Sequence, residues 1–284
     1  MYSNVQRKIT ESTIIVCGIV RNAERGLKRN IPTINQLCER FGDYHIVIVE
    51  NDSTDNTKKI LEQWAKSRKN IHLLLNDFYT DTIPDKKEVA GNPFFSRKRI
   101  EKMALYRNMY LDYITHNVIQ GDYIIVVDLD VYKIYLDGII SSFLTTYEWD
   151  AVTANGYSRS FSSKFSKRYH DAYALTALGE ELVPQTEEMI NSARYKWAFL
   201  ERKTPLMPVF SAFGGLAIYR YEALKNIRYE VLKNDDAQVE VRCEHFSLYK
   251  QMNEAGFNKV FINPAMRIKY QTQVINTIRR WLKK

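Results

Sequence analysis

Cysteine, proline and glycine are all scarce in this chain of 284 residues, at 3, 7 and 11. Three cysteines (Cys17, Cys38 and Cys243) make no even disulfide framework and lack metal-type spacing, so a reducing compartment is expected. So little glycine and proline excludes collagenous or low-complexity character. Long hydrophobic runs are missing as well. Thr13–Val20 (TIIVCGIV) is far shorter than the roughly 20 residues needed to cross a bilayer. It is followed by Arg21 rather than by small cleavage-site residues, so it reads as a first strand and not as a signal peptide. Neither standard phosphate fingerprint is present: Gly18 stands alone after that strand, and no Gly-rich loop ends in Lys-Ser or Lys-Thr. Dehydrogenase and P-loop NTPase readings fall away.

What is present points to one sizeable globular domain, with 45% hydrophobic and 26% charged residues. The net charge of +8 favours acidic partners: nucleotide phosphates, nucleic acid or an anionic membrane. Short β-branched runs recur at Thr13–Val20, Tyr44–Glu50, Ile71–Leu75, Tyr123–Asp128, Ala151–Ala154, Gly215–Tyr219 and Lys259–Ile262. Helical patterns lie between them, including Thr54–Arg68 and Arg97–Tyr113. Pro32 predicts a break near Ile31. Alternating strands and helices predict an α/β fold whose sheet is parallel at least through its first half. Such sheets bind ligands beyond the carboxyl ends of their strands, which directs attention to Val20–Glu24, Glu50–Asp55 and Asp128–Asp130.

Two of those three segments are acid-rich. In an extended Asp128-Leu129-Asp130, both carboxylates face one way and suit Mn²⁺ or Mg²⁺ shared with a diphosphate. A solvated strand-end turn is the plainer alternative. The run Glu50-Asn51-Asp52-Ser53-Thr54-Asp55 has more acids than helix capping needs, and its acceptors suit base N–H or ribose hydroxyl groups.

Together these segments resemble the nucleotide-sugar glycosyltransferases of the GT-A fold, through VIVENDSTDNT and through ALYRN some twenty residues before the Asp-Leu-Asp. A closer resemblance is to the family 69 capsule-associated α-1,3-mannosyltransferases and their bacterial relatives. It rests on VRN, ENDSTDNT, YRN, YHDAYAL (Tyr169–Leu175), FGGLAIYR (Phe213–Arg220) and CEHFSLYKQM (Cys243–Met252), in the same order. The resemblance implies a Rossmann-like mixed sheet flanked by helices over residues 1–270. A nucleotide-binding half would occupy 12–154 and an acceptor-binding half 155–270. It also implies hexose transfer from a nucleoside diphosphate sugar, GDP-mannose or a UDP-sugar, to a glycan or lipid-linked hydroxyl in surface polysaccharide synthesis, with retention.

By the same resemblance, Val20, Arg21, Glu50, Asp52 and Arg107 are expected at the nucleotide. Asp128 would face the ribose or the metal, and Asp130 would be the main metal ligand. Gly214 and Gly215 would run along the donor sugar, although glycine pairs also serve as bends. Glu244 and His245 open a helix where many inverting relatives carry Glu-Asp, so His stands in place of a base. Glu244 is placed near the acceptor, His245 is a candidate base or third metal ligand, and Asp171 a candidate acceptor contact. Many GT-A enzymes bring a late histidine to the metal. No His follows His245 here, and Lys269 is the candidate contact to the diphosphate instead.

The tail, residues 271–284, holds QVINTIRRWLKK, with Val274, Ile278 and Trp281 on one helical face and Arg279, Arg280, Lys283 and Lys284 at its end. It predicts a basic amphipathic helix on an anionic membrane surface, and hence a cytoplasmic protein peripheral to the inner face. Two rivals stand against the transferase. A sugar-phosphate nucleotidyltransferase would normally carry a Gly-rich basic loop after the first strand, and CGIVRNAERG matches this poorly. A non-catalytic nucleic-acid-binding protein would suit the charge, but no recognition helix, zinc site or RNA-binding signature is present.

Overall fold

A computed structural model of the chain describes residues 9–159 and 166–271. Its centre is a ten-stranded mixed sheet. The strands are β1 (Thr13–Val20), β2 (Asp43–Asn51), β3 (Ile71–Asn76), β4 (Tyr123–Val127), β5 (Lys133–Ile134), β6 (Ala151–Arg159), β7 (Lys167–Tyr169), β8 (Met207–Pro208), β9 (Leu216–Arg220) and β10 (Val260–Lys269). The helices of a full turn or more are α1 (Glu24–Cys38), α2 (Thr57–Ser67), α3 (Arg97–His116), α4 (Leu136–Leu144), α5 (Glu187–Lys196), α6 (Tyr221–Leu224) and α7 (Glu244–Glu254).

Along the sheet the order is β3-β2-β1-β4-β9-β6-β10-β5, with β7 beside β6 and β8 beside β10. The first four strands are mutually parallel, as expected. β9 enters antiparallel between β4 and β6, and β10 then runs parallel to β6. Alternate side chains of the central strands feed separate cores. Ile15, Cys17, Val47, Val49, Ile124 and Val126 face one core with Ile100, Tyr110 and Leu111 of α3 and Leu248 and Met252 of α7. Ile14, Val16, Ile46, Ile48, Ile125 and Val127 face the other, with Leu27 and Ile34 of α1, Leu61 of α2 and Ile139 of α4. Strands buried on both faces are what uninterrupted runs such as IIVCGIV encode.

Pro32 does not break its helix. α1 runs through it because Leu27 and Asn30 before it, and Ile34 and Leu37 after it, are all buried on one face. The proline itself is exposed, which leaves the carbonyl it cannot bond open to water. Expected strand β6 is longer than its apolar core, continuing through the polar Asn155–Arg159. β7 ends at Tyr169, and Tyr173 and Leu175 beyond it are buried in irregular backbone. All three cysteines are free and buried. No helix among the described residues is long and apolar enough to cross a membrane. The predicted basic tail lies, from residue 272 onward, outside the described residues.

Candidate active site

At the carboxyl ends of β1 and β4 the sheet opens into a cavity of about 310 Å³. Its wall brings together Val20, Arg21, Arg107, Asp128, Asp130, Asp171, Glu244 and His245, residues drawn from across the length of the chain. Asp128-Leu129-Asp130 is a turn beyond β4, not the extended segment expected. Both acids still reach the cavity because the turn is clamped from below. The amide of Asn30 donates to the carbonyls of Leu129 at 3.0 Å and Val131 at 2.8 Å. Gly26, one helical turn earlier, lies so close that a Cβ there would sit 2.5 Å from Cα of Asp130. Leu129 is fully buried and pins the turn to the core.

Arg107 is the electrostatic hub. It projects from α3, is buried, and donates from Nε to Oε1 of Glu244 at 3.0 Å. A second guanidinium nitrogen lies 3.9 Å from Oδ1 of Asp128, and Phe213 stacks 5.0 Å away as an aromatic face for the cation. Burial opposes ionisation of Glu244, but Arg107, His245 and Arg99 overcome it and hold its carboxyl down at about 2. Glu244 is therefore a permanent anion at the start of α7. His245 is pushed down to about 3, by burial first and Arg107 second, and its ring stacks on Phe213 at 4.1 Å. It is neutral, and too weak a base to hold a proton at pH 7.

The other acids move the opposite way. Burial first, then Asp130 and Asp171, drive Asp128 up to about 7 against the pull of Arg107. Its Oδ2 accepts from the hydroxyl of Tyr270 at 3.0 Å. Burial and Glu244 raise Asp171 to about 6, while the backbone N–H of Gly214 donates to it at 3.2 Å. Asp130 is raised too by the protein crowded around it, although its surface is open to water. Of the pair, Asp128 is the one whose shift the geometry backs, with a side chain only 22% exposed. The cavity thus has more carboxylates than cations to balance them.

Five expected residues do not line the cavity. Glu50 is buried, accepts from the backbone N–H of Ser53 at 2.8 Å and lies 3.7 Å from Lys58. Asp52 adopts a left-handed backbone at φ 52° and accepts from the N–H of Tyr79 at 2.7 Å. Burial works against its ionisation, but Asn51, the Tyr79 and Phe78 N–H groups and Arg21 together lower its carboxyl. Asn51, between these two acids, is the residue that reaches the cavity. Gly214 and Gly215 have φ of 65° and 89°, and a Cβ on Gly214 would lie 2.1 Å from the Ala154 carbonyl. Their lack of side chains serves close packing on β6 and Tyr270. Lys269 points to the ring of Tyr132, 4.7 Å away. Its neighbour Tyr270 takes the cavity position instead, with His170 stacked on it at 3.7 Å. Asn51, Arg99, His170 and Tyr270 line the cavity without having been expected there. The pleat offers the signal for Tyr270, since adjacent residues leave a strand in opposite directions.

A larger cavity of about 680 Å³ lies at the other end of β4, lined in part by Tyr123, Trp149, Arg220 and Lys259. Its acids are engaged by the fold: Asp122 accepts from the N–H of Thr13 at 2.8 Å and Asp150 from that of Lys259 at 3.0 Å. It has no comparable set of crowded carboxyls.

A sequence profile for Cryptococcal mannosyltransferase 1 matches residues 13–249. The chain belongs to this family. The matched stretch contains every residue described in the cavity around Asp128 except Tyr270. No curated protein matches the chain. Among solved structures, similarity extends to the mannosyltransferase PcManGT from Pyrobaculum calidifontis, in complex with GDP-Man and Mn²⁺. There the identity is 14%, the TM-score 0.47, and the match covers 94% of this chain and 62% of that one. TarS 1-349 of S. aureus matches at 14% identity and TM-score 0.47, over 91% of this chain and 60% of that one. Glucosyl-3-phosphoglycerate synthase from Mycobacterium tuberculosis matches at 13% and TM-score 0.48, over 98% and 78%. The chain thus spans less than two thirds of the length of the first two structures.

Proposed function

We propose that this chain is a metal-dependent glycosyltransferase that moves a hexose from a nucleoside diphosphate sugar to the hydroxyl of a glycan or lipid-linked acceptor. Mannose from GDP-mannose is the first donor to test and UDP-sugars the second. The observation that carries the reading is the Asp128–Asp130 pair, two carboxylates that open on one cavity beyond the carboxyl end of β4, with Asp128 crowded by like charge. Two such carboxylates fit Mn²⁺ or Mg²⁺. No group of three or more His, Cys, Asp or Glu among the described residues is arranged to hold a metal. The pair therefore supplies part of a shell, with diphosphate and water left to complete it. His245 is not needed for that shell. When bound, the cation neutralises charge on the departing diphosphate.

The chain's own groups have distinct parts in this proposal. Val20, Arg21 and Asn51 meet the nucleoside, in place of Glu50 and Asp52. Tyr270 and Arg107 orient Asp128 from either side. Glu244, locked to Arg107, anchors that guanidinium and does not accept protons. Asp171, at about 6, can take and release a proton near neutral pH and, with Asp128 given to the metal, is assigned to the acceptor hydroxyl. Retention at the anomeric carbon, read by NMR on the first product, belongs to the same proposal; an inverted product would remove it.

Asp130→Ala should leave the fold intact and abolish Mn²⁺-dependent turnover of the donor. Wild-type turnover in that variant would overturn the metal assignment. A thermal-shift series with GDP and UDP, with and without Mn²⁺, chooses the base. Attachment to a membrane through the tail is tested by cosedimentation with phosphatidylserine vesicles. Deleting Ile275–Lys284 should abolish it, and unchanged sedimentation would sink the idea.

A further inference from the structure

The β6–β7 hairpin carries positive charge that the proposed transfer step does not use. Arg168 in β7 stands opposite Ser158 of β6 and is 9% exposed. Arg194 lies in the last turn of α5, which packs on β7. His170 follows β7, with one face on Tyr270 and an edge in the cavity beside Asp171. Among the described residues, Nε–H of Arg168, Nε–H of Arg194 and Nδ1 of His170 are buried without a hydrogen-bond partner. Neither guanidinium has a salt bridge to any described residue.

These groups also work against one another. Burial and then Arg168 lower Arg194, while Asp171 and Glu187 offset the effect only in part. Burial, Arg194 and Arg168 push His170 down to about 4, so its ring is neutral. Arg168 is buried and Arg194 half-buried, and a guanidinium N–H that is buried with no acceptor is unfavourable. The fork of a guanidinium matches the oxygens of a phosphate or carboxylate, and two adjacent forks need an anion to relieve their repulsion.

We propose that Arg168, Arg194 and His170 form an oxyanion subsite that receives a phosphate or carboxylate group borne by the acceptor. This rests on the transferase reading above. The donor's diphosphate is assigned to Asp128 and Asp130, and Tyr270 separates the two: its hydroxyl holds Asp128 while its face holds His170. An anionic group in the subsite would lie on the Asp171 side of the cavity, where the acceptor hydroxyl is assigned. The enzyme would then select a charged sugar over its neutral counterpart.

The test uses the full chain in metal-free buffer, at constant ionic strength balanced with sodium chloride. Inorganic phosphate and glucuronate are titrated separately while the unfolding midpoint is followed. The midpoint should rise with one or both anions. A response to phosphate alone identifies a phosphorylated acceptor, and a response to glucuronate alone a uronic acid. Arg194→Gln, at a half-buried helix end, should weaken that response about tenfold or more. In chloride its own midpoint should equal or exceed the wild type, because a like-charge contact has gone. A flat wild-type response, or an undiminished one in the variant, overturns the subsite. The shift caused by GDP or UDP with Mn²⁺ is measured on the same samples and should survive in Arg194→Gln. Its absence in the wild type would sink the transferase reading while leaving the anion result intact.

Discussion

Replacing Asp128 with Asn removes one negative charge from a cavity lined by four carboxyl groups, with Arg107 as the fully buried cation. The folded state holds the Asp128 proton up to about pH 7, against an ordinary value of 3.8. At about 1.4 kcal/mol per pH unit, that gap corresponds to a ceiling of about 4 kcal/mol. Water reaches part of the side chain, so about 2 kcal/mol is the working figure. The sign follows from linkage. The folded carboxyl binds its proton more tightly than the unfolded one, so folding loses stability as pH rises from about 4 to about 7. Below that window the loss is absent. Urea unfolding of the metal-free protein at pH 4.5 and pH 8 reads it directly. The variant should be more stable than the wild type at pH 8, and the difference should shrink toward pH 4.5. Adding Mn²⁺ at pH 8 should stabilise the wild type and have little effect on the variant. A variant equal to or weaker than wild type at pH 8 would refute the view that Asp128 is crowded by like charge.

Arg107→Met strands Glu244 as a buried anion and should cost about 3–5 kcal/mol in urea unfolding. Adding Glu244→Gln should recover part of that loss, and strict additivity in the double-mutant cycle would contradict the hub. Asn30→Ala deletes both bonds to the Asp-Leu-Asp turn; we expect about 1–3 kcal/mol of lost stability and a raised KM for the donor. An unchanged KM would show that the turn holds its shape without the clamp.

Much of this molecule is legible in its sequence, and for physical reasons. β1, β2 and β4 are central strands buried on both faces, so they appear as unbroken apolar runs. Arg107, Asp128 and Glu244 stand in polar motifs that core packing alone does not require. The antiparallel entry of β9 carries no local mark, because LAIYR would read identically in either direction. Pro32 misleads because helix breaking depends on which face the proline occupies, and this is set by burial elsewhere. The choice of Lys269 over Tyr270 turns on a single position of pleat. Gly26 gives no warning either, since its meaning comes from a turn roughly a hundred residues away.

The antiparallel placement of β9 between β4 and β6 has a consequence for the newly made chain. Residues up to Val127 can pair into the parallel half as they leave the ribosome, but β6 has no place beside them until Leu216–Arg220 arrives. Asp128 waits longer still, since Tyr270 is 142 positions further along. During synthesis the carboxylates just beyond β4 stand beside an open sheet edge while the remaining chain is made, a long-range closure of the kind that folds slowly. Competence to bind any donor should therefore appear late, only after β10 has been released.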